Sequence, residues 1–125
     1  MTALEKETAI TAYFNMWVQR EFSKLDTIFA KNIYYSECYG PEYYGLSEIY
    51  QWIEAMLQKQ KVLEWRIKRF FHENDSVIVE WFFREQQSSI IHGFDGVSII
   101  EFQSDRKIHS IKEFESKSDH ISPYH

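Results

Sequence analysis

The stretch FDGVSIIEFQSDRKIHSIKEFES, residues 94–116, decides the fold. Apolar and polar side chains alternate in both of its halves, which predicts two strands, because successive side chains of a strand point to opposite faces. The segment SDR (104–106) supplies the turn between them. Gly93 and Gly96 interrupt the first of these strands and predict a bulge or a sharp bend. The chain is therefore expected to end in a bent antiparallel hairpin.

Two further strands precede this hairpin. The segments EWRIKRFFHE (64–73) and SVIVEWFFREQ (76–86) show the same alternation, and END (73–75) forms the turn that separates them. Four consecutive strands joined by short turns predict an antiparallel meander. On the earliest strand we expect one face to carry Trp65, Ile67, Arg69 and Phe71.

Helical spacing dominates the N-terminal half. Residues 3–22 predict an amphipathic helix, because apolar residues recur there at intervals of three and four. Thr2 and Glu5 fit a capping box at its start, although the first turn could equally be frayed. The face that we expect to be buried consists of Ile10, Tyr13, Phe14, Trp17, Val18 and Phe22.

Two shorter helices are predicted after it. Ser23 is placed to cap KLDTIFA (24–30), and Ser47 is placed to cap a third helix. The third helix has a buried stripe formed by Ile49, Trp52, Ile53, Met56 and Leu57. Between the two helices, NIYYSE (32–37) predicts a strand, and EYYG (42–45) returns beside it as a small hairpin.

Three helices, a hairpin and a meander predict an α+β domain. We expect a cone-shaped, strongly bent antiparallel sheet that wraps around a pocket covered by the three N-terminal helices. The domain is expected to span residues 1–116, with residues 117–125 as a C-terminal tail.

Composition narrows the classes of partner. A net charge of −5 without a basic stripe argues against nucleic acid. No apolar run is long enough to span a bilayer and the N-terminus does not resemble a signal peptide, so no membrane association is expected. The single cysteine, Cys38, excludes an internal disulfide and favours the cytoplasm. The aromatic content of 18% favours an aromatic-lined cavity.

Three segments together resemble the nuclear transport factor 2-like superfamily, in its SnoaL-like and ketosteroid-isomerase-like branch. They are LDTIFAKNIYYSE (25–37), YYGLSEIYQWI (43–53) and the closing hairpin (94–116), and the resemblance covers about residues 4–116. It implies a cystatin-like α+β roll, a deep apolar pocket and often a homodimer formed through the sheet. Members include isomerases, cyclases, dehydratases, hydrolases and noncatalytic binding proteins, so the resemblance does not imply one function.

The resemblance also implies candidate catalytic residues. Glu37 matches a pocket carboxylate at the end of the strand after helix two, and Tyr13 matches a helix-one tyrosine sixteen residues before Phe29. Burial among aromatic rings would raise the pKa of Glu37, so that it could abstract a proton while Tyr13 stabilises the developing enolate. The position of the second oxyanion donor aligns with Ser98, which departs from the isomerase pattern. The alternative is a solvent-exposed Glu37 and a core Tyr13 with a satisfied hydroxyl.

The closing strand offers a second acid. In the cyclase-like branch an acid on this strand shuttles protons, and Glu113 or Glu115 matches it; the alternative is an exposed, charged sheet face. Asp95 could enter the cavity or serve only the bend, and His92 is better explained by packing than by catalysis. The residues expected to line the pocket are Trp17, Tyr34, Tyr39, Tyr43, Trp52, Met56, His92, Asp95 and Ser98.

No cofactor or metal is expected. The five histidines lack metal-binding spacing, a lone cysteine cannot complete a zinc site, and no glycine-rich phosphate loop is present. Cys38 is better explained as a small semi-buried thiol than as a nucleophile.

The sequence leaves three functions open. The first is a cofactor-independent isomerase, cyclase or dehydratase that uses proton transfer on a small hydrophobic molecule. The second is a noncatalytic domain that binds a small ligand in the same pocket. The third is a dimeric partner-binding domain whose aromatic side chains fill the cavity.

Overall fold

A computed structural model describes residues 1–125. Its helices are α1 (Ala3–Gln19), α2 (Leu25–Ile28) and α3 (Leu46–Leu57). Its strands are β1 (Phe29–Ser36), β2 (Glu42–Tyr44), β3 (Lys61–Glu73), β4 (Ser76–Gln87), β5 (Ile90–Phe102) and β6 (Ile108–Ser116). The α+β class predicted from the sequence is confirmed, and residues 117–125 form neither helix nor strand.

All six strands form one strongly curved sheet in the order β2-β1-β6-β5-β4-β3. Strands β3 to β6 are the predicted antiparallel meander. Strand β1 pairs with β6 in parallel, which the sequence did not indicate, because periodicity predicts a strand but not its partner. The β1–β2 hairpin thereby joins the sheet beside the last strand of the chain. Helix α1 packs on β3, and α3 packs on β1 and β2.

The helix termini differ in part from the predictions. The capping box of Thr2 and Glu5 is present. Helix α1 ends at Gln19, because Arg20 adopts a left-handed conformation with φ 59° and its guanidinium donates to the carbonyl oxygens of Leu57 and Gln60. The predicted caps at Ser23 and Ser47 are wrong. The N-cap positions are Lys24 and Gly45, neither with a side-chain cap, and Ser47 lies inside α3.

Strand β3 departs from simple alternation. Its pairing with β4 shifts register between Ile67 and Arg69, so the side chains beyond this bulge change faces. Phe70 therefore packs against the core, whereas Phe71 is 46% exposed. The prediction that Trp65, Ile67, Arg69 and Phe71 share one face fails for its last two members.

Gly96 allows a large ring to lie across the curved sheet. A Cβ atom at this position would lie 2.4 Å from the Trp81 ring and 2.5 Å from the Phe114 carbonyl oxygen. Trp81 is fully buried in the core, and its indole N–H donates to the Ser98 hydroxyl over 2.9 Å. The predicted bulge is absent, because β5 pairs with β4 and β6 in unbroken register through Gly96. The glycine instead permits a close approach between strands, and the Trp81 ring placed by this approach forms part of the wall of the cavity.

None of the three helices combines the length and the apolar character that crossing a bilayer requires.

Candidate functional site

A cavity of about 40 Å³ lies between helices α1 and α3 and the concave face of the sheet; α2, which was also expected to cover it, contributes no residue to its wall. This volume exceeds the roughly 10–15 Å³ that one water molecule needs, and is smaller than the ~300–1,000 Å³ of typical drug-sized pockets. Most of its wall is aromatic and includes all four tryptophans of the chain, Trp17, Trp52, Trp65 and Trp81. The charged side chains in the wall are Glu37 and Glu113, and neither lysine, arginine nor histidine lines it.

Glu113 projects into the cavity from β6. Its Oε2 atom accepts a hydrogen bond from the Tyr35 hydroxyl over 2.6 Å. Burial raises the pKa of Glu113 to about 8, and the negative charge of Glu37 adds to this increase, whereas the Tyr35 hydrogen bond opposes it. At neutral pH this carboxyl is therefore mostly protonated, which is the state of a general acid.

Glu113 ends a directional chain of hydrogen bonds. The Trp17 indole N–H donates to the Tyr13 hydroxyl over 2.9 Å, and Tyr13 donates to Tyr35 over 2.7 Å. An indole nitrogen can only donate, so each hydroxyl in turn donates towards Glu113. Burial raises the pKa of both Tyr13 and Tyr35 well above the ordinary tyrosine value, which keeps these hydroxyls protonated. The chain occupies Oε2 and leaves Oε1 of Glu113 as the atom available for proton transfer.

Glu37 follows β1 directly and lies in the hairpin turn. Its backbone N–H donates to the Pro41 carbonyl, and its carbonyl accepts from the Gly40 N–H, so the turn fixes the Glu37 backbone. The Tyr43 hydroxyl donates to its Oε2 over 2.9 Å. Burial raises the pKa of Glu37, while the Tyr43 hydrogen bond and the charge of Lys59 oppose the increase.

Tyr43 and Trp52 hold the Glu37 side of the cavity. Their rings stack at 4.9 Å with an interplanar angle of 19°. The Trp52 indole N–H is buried and has no hydrogen-bond partner. It is nevertheless close enough to Glu37 to favour the charged form of that carboxyl, which lowers the pKa of Glu37. Within SECYGPEYYG (36–45), Tyr43 thus holds Glu37 at the cavity, whereas Tyr44 is exposed and donates to Glu42.

The two carboxyls differ in environment. Glu113 is more deeply buried and has the larger pKa increase, whereas Glu37 is more exposed and has Lys59 nearby. A pair of acids whose pKa values are pushed apart can divide the roles of proton donor and proton acceptor.

Six of the residues proposed from the sequence line this cavity. They are Trp17, Glu37, Tyr39, Trp52, Met56 and Glu113.

Three proposed tyrosines and Ser98 lie outside the wall. Tyr13 is fully buried behind Tyr35, so it contacts the cavity only through the hydrogen-bond chain. Tyr34 points away and donates to Glu42 over 2.6 Å. Tyr43 is one step removed, behind Glu37 and Trp52. The Ser98 hydroxyl accepts a hydrogen bond from the Trp81 indole N–H.

His92, Asp95 and Glu115 also lie outside it. Asp95 points to the outer face, where it pairs with Lys68 over 2.8 Å, and these contacts lower its pKa. His92 and Glu115 line a separate surface groove near the C-terminal tail.

Tyr35 is the most informative residue that sequence reasoning missed. On strand β1 it lies two positions before Glu37, and residues two apart share a face. Applying this rule would have replaced Tyr34 with Tyr35. The other wall residues that were not proposed are Cys38, Gln60, Val62, Trp65, Trp81, Phe83 and Phe94.

Neither a metal centre nor a thiol nucleophile emerges from this geometry. No group of three or more histidine, cysteine, aspartate or glutamate side chains is arranged to hold a metal ion. Burial, with the nearby acids Glu113, Glu115 and Glu37, raises the pKa of Cys38 to about 12, so its thiol stays protonated.

The protein is a curved α+β roll whose cavity combines aromatic walls with two carboxyls. The sequence model of the SnoaL-like domain family matches residues 10–111. The chain belongs to this family, and the resemblance noted from its sequence is confirmed. No curated protein matches the chain significantly by sequence.

Solved structures share the fold at low sequence identity. A protein with a ketosteroid isomerase-like fold from Catenulispora acidiphila DSM 44928, in complex with trimethylamine, is 18% identical with a TM-score of 0.76, covering 86% of this chain and 85% of that one. An LEH-like epoxide hydrolase of M. tuberculosis is 15% identical with a TM-score of 0.80, covering 90% and 79%. A protein of unknown function with a cystatin-like fold from Xanthomonas campestris is 12% identical with a TM-score of 0.74, covering 90% and 91%. At these identities the likeness concerns the fold alone.

Proposed function

We propose that this protein is a cofactor-independent enzyme that moves a proton on a small, largely apolar molecule, as an isomerase, cyclase or dehydratase does. The observation that carries the proposal is the pair of carboxyls, Glu37 and Glu113, in one aromatic cavity with unequal pKa increases. Aromatic walls exclude water, which strengthens the electrostatic interactions of both acids with a bound molecule.

In this proposal Glu37 is the base and Glu113 the acid. The Glu37 carboxylate removes a proton from a carbon next to a carbonyl, while Glu113 donates its Oε1 proton to the carbonyl oxygen, giving a neutral enol. Return of the proton from Glu37 to another carbon, with return of the enol O–H proton to Glu113, completes an isomerisation. In a dehydration Glu37 gives its proton to the departing β-hydroxyl, which leaves as water, and the enol O–H proton returns to Glu113. Tyr35 is a positioning residue, because it holds Oε2 of Glu113, and Tyr13 acts only through Tyr35.

The proposal can be tested with acetone, whose four non-hydrogen atoms suit a small cavity. Exchange of its methyl protons for deuterium in D₂O, followed by proton NMR, reports proton abstraction directly. We expect the protein to accelerate exchange, and the Glu37→Gln and Glu113→Gln variants each to lower this acceleration by at least about 100-fold. The rate should fall as the pH rises above about 8, where Glu113 loses its proton.

Glu115→Gln is the matched control. Glu115 lies two positions from Glu113 on the same strand, but outside the cavity, so its removal should leave exchange unchanged. Exchange at the same rate in all four proteins would contradict the catalytic assignment.

A noncatalytic ligand-binding domain is the second candidate function. The small size of the cavity favours it, because a volume of about 40 Å³ leaves little space for a substrate to rearrange. In that case a small molecule would bind in the wild-type protein and in both acid variants without any exchange.

We also propose that two copies pair through the outer face of the sheet, in the reducing environment of the cytoplasm. Phe71, Ile78 and Phe114 expose 46%, 39% and 52% of their surface on that face, where a partner sheet would cover them. The single cysteine fits the reducing compartment, since the fold uses no disulfide.

A further inference from the structure

The charge of the cavity wall points to one class of ligand. Its charged side chains are two carboxyls, and the other lining residues are mostly aromatic. We propose that the molecule bound in this cavity is a small organic cation, an alkylammonium group held by the aromatic rings and the two carboxyls. This inference rests on the proposed use of the cavity as the ligand site, and it adds the charge of the ligand.

The wall contains no cationic side chain, and the only cation that acts on either acid is Lys59, which lies outside the wall and affects Glu37 but not Glu113. A buried carboxylate is stable only when it is paired or hydrogen-bonded, and Glu37 and Glu113 each receive one hydrogen bond, from a tyrosine. The negative charge of Glu37 raises the pKa of Glu113, so the two groups repel when both are ionised. A cation between them would relieve this repulsion and let both remain charged.

Aromatic rings surround the two acids. Four tryptophans, two tyrosines and two phenylalanines line the cavity, including Trp17, Trp52, Trp81 and Phe94. Aromatic rings attract organic cations through their electron-rich faces, and tryptophan does so most strongly. An anion would meet two carboxyls here, and a neutral alkane would leave both acids unpaired.

The size of the cavity suits a compact group of a few heavy atoms. Its volume of about 40 Å³ is roughly three times the ~10–15 Å³ that one water molecule needs. A methylated ammonium head is compact and has no hydrogen-bond donors to satisfy when quaternary. The cavity therefore fits the head of a ligand, and because Tyr39 in its wall is half exposed, a longer chain would reach solvent past this side chain.

Tetramethylammonium is the direct probe, and the four tryptophans of the wall make their fluorescence the readout. We expect saturable quenching with a dissociation constant below about 1 mM. The neutral analogue tert-butanol and the anionic analogue pivalate, which have similar shapes, should bind at least about tenfold more weakly. Equal or tighter binding of either analogue, or no saturable signal from tetramethylammonium up to about 10 mM, would overturn the inference.

The pH dependence gives an independent measure in the wild-type protein. Tetramethylammonium does not titrate, so any change in affinity reports the protein. The groups facing Glu113 are Tyr13 from α1, Tyr35 from β1, and Glu37, Cys38 and Tyr39 after β1, while β5 contributes only the neutral Ser98. None of these can become a cation, and Lys59, whose charge acts on Glu37, lies outside the wall and does not act on Glu113. Affinity should therefore increase with pH up to about 8, as Glu113 ionises, and then level off. A flat profile would contradict the pairing with Glu113.

Variants separate this inference from the proposed catalysis. Glu113→Gln should weaken tetramethylammonium binding at pH 9 by at least about tenfold, whereas Glu115→Gln should not change it. Circular dichroism of both variants checks that they are folded. Cation binding without acetone exchange would support the cationic ligand and contradict the proposed proton transfer. Acetone exchange without a preference for the cation would support proton transfer and contradict the cationic ligand.

Discussion

The raised pKa of Glu113 makes the stability of the fold depend on pH. Its folded-state pKa of about 8 exceeds the unfolded value of 4.5, so the folded state retains a proton that the unfolded state has lost. The stabilising contribution is complete below pH 4.5 and is lost as the pH rises to about 8, by on the order of 5 kcal/mol at most.

Urea unfolding of the wild-type protein and of Glu113→Gln at pH 5, 7 and 9 tests this dependence. We expect the variant to gain stability relative to the wild type as the pH rises, because glutamine stays neutral throughout. Other titrating groups cancel in the difference between the two proteins. A difference that does not change with pH would mean that Glu113 titrates normally.

Tyr35 affects the pKa of Glu113 through a hydrogen bond. Its hydroxyl donates to Glu113 and accepts from Tyr13, and the first of these bonds lowers the pKa of Glu113. The Tyr35→Phe variant should therefore raise the pKa of Glu113 further, as measured by carbon NMR of the carboxyl group. It should also lose about 1–3 kcal/mol of stability, because the buried Tyr13 hydroxyl loses its acceptor.

Tyr34→Phe is the matched control, since this neighbour points to the other face of β1 and bonds only the exposed Glu42. It should change neither the titration of Glu113 nor the stability by more than about 0.5 kcal/mol. Equal shifts in both variants would show that the hydrogen-bond chain does not tune the acid.

At the scale of elements, the close approach at Gly96 explains why β5 carries a glycine in its centre. A methyl group there would overlap the Trp81 ring at 2.4 Å and the Phe114 carbonyl at 2.5 Å. Gly96→Ala should therefore destabilise the protein by about 3 kcal/mol in urea unfolding, since neither the buried ring nor the backbone can move freely.

Gly93→Ala in the same strand is the comparison. The nearest atoms to its added methyl group are a Phe82 ring carbon at 3.1 Å and the Phe83 carbonyl oxygen at 3.3 Å. A loss of about 1 kcal/mol is expected, because the half-buried Phe82 side chain can shift. Comparable losses for the two glycines would remove the special role assigned to Gly96.

The elements also show what sequence periodicity can and cannot predict. Alternation located all four strands of the meander and the α+β class, because burial of one face requires a period of two. It failed beyond Ile67, since one extra residue in a bulge exchanges the faces without leaving a compositional signal. The parallel pairing of β1 with β6 could not be predicted from the sequence either, because pairing between distant segments depends on the complete fold.

The same limits apply to the site. Glu37 and Glu113 were proposed through their position in a family pattern, and both line the cavity. Tyr35 was missed although its spacing from Glu37 was visible in the sequence. The position of Tyr13 one step behind the wall depends on where α1 packs, which no local pattern specifies.

At the scale of the whole molecule, the outer face of the sheet carries exposed apolar side chains that the cavity does not explain. Phe71 and Ile78 are direct cross-strand neighbours, and Ile78 is paired in turn with Ile99. Phe114 extends this apolar area next to Val97 on the same face. A two-fold axis through this area would bring each patch against its copy.

We therefore expect a dimer in light scattering coupled to size-exclusion chromatography, with twice the 15.2 kDa mass of one chain. Phe114→Glu should raise the dissociation constant by at least about 100-fold, because dimerisation would bury two unpaired charges near the axis. Leu4→Glu is the control, since Leu4 is 73% exposed on α1, away from the sheet face. A wild-type protein that is monomeric at micromolar concentration, or a Phe114→Glu variant that remains dimeric, would exclude this interface. Because Phe114 points away from the cavity, a monomeric variant that still binds its ligand would also show that each chain carries a complete site.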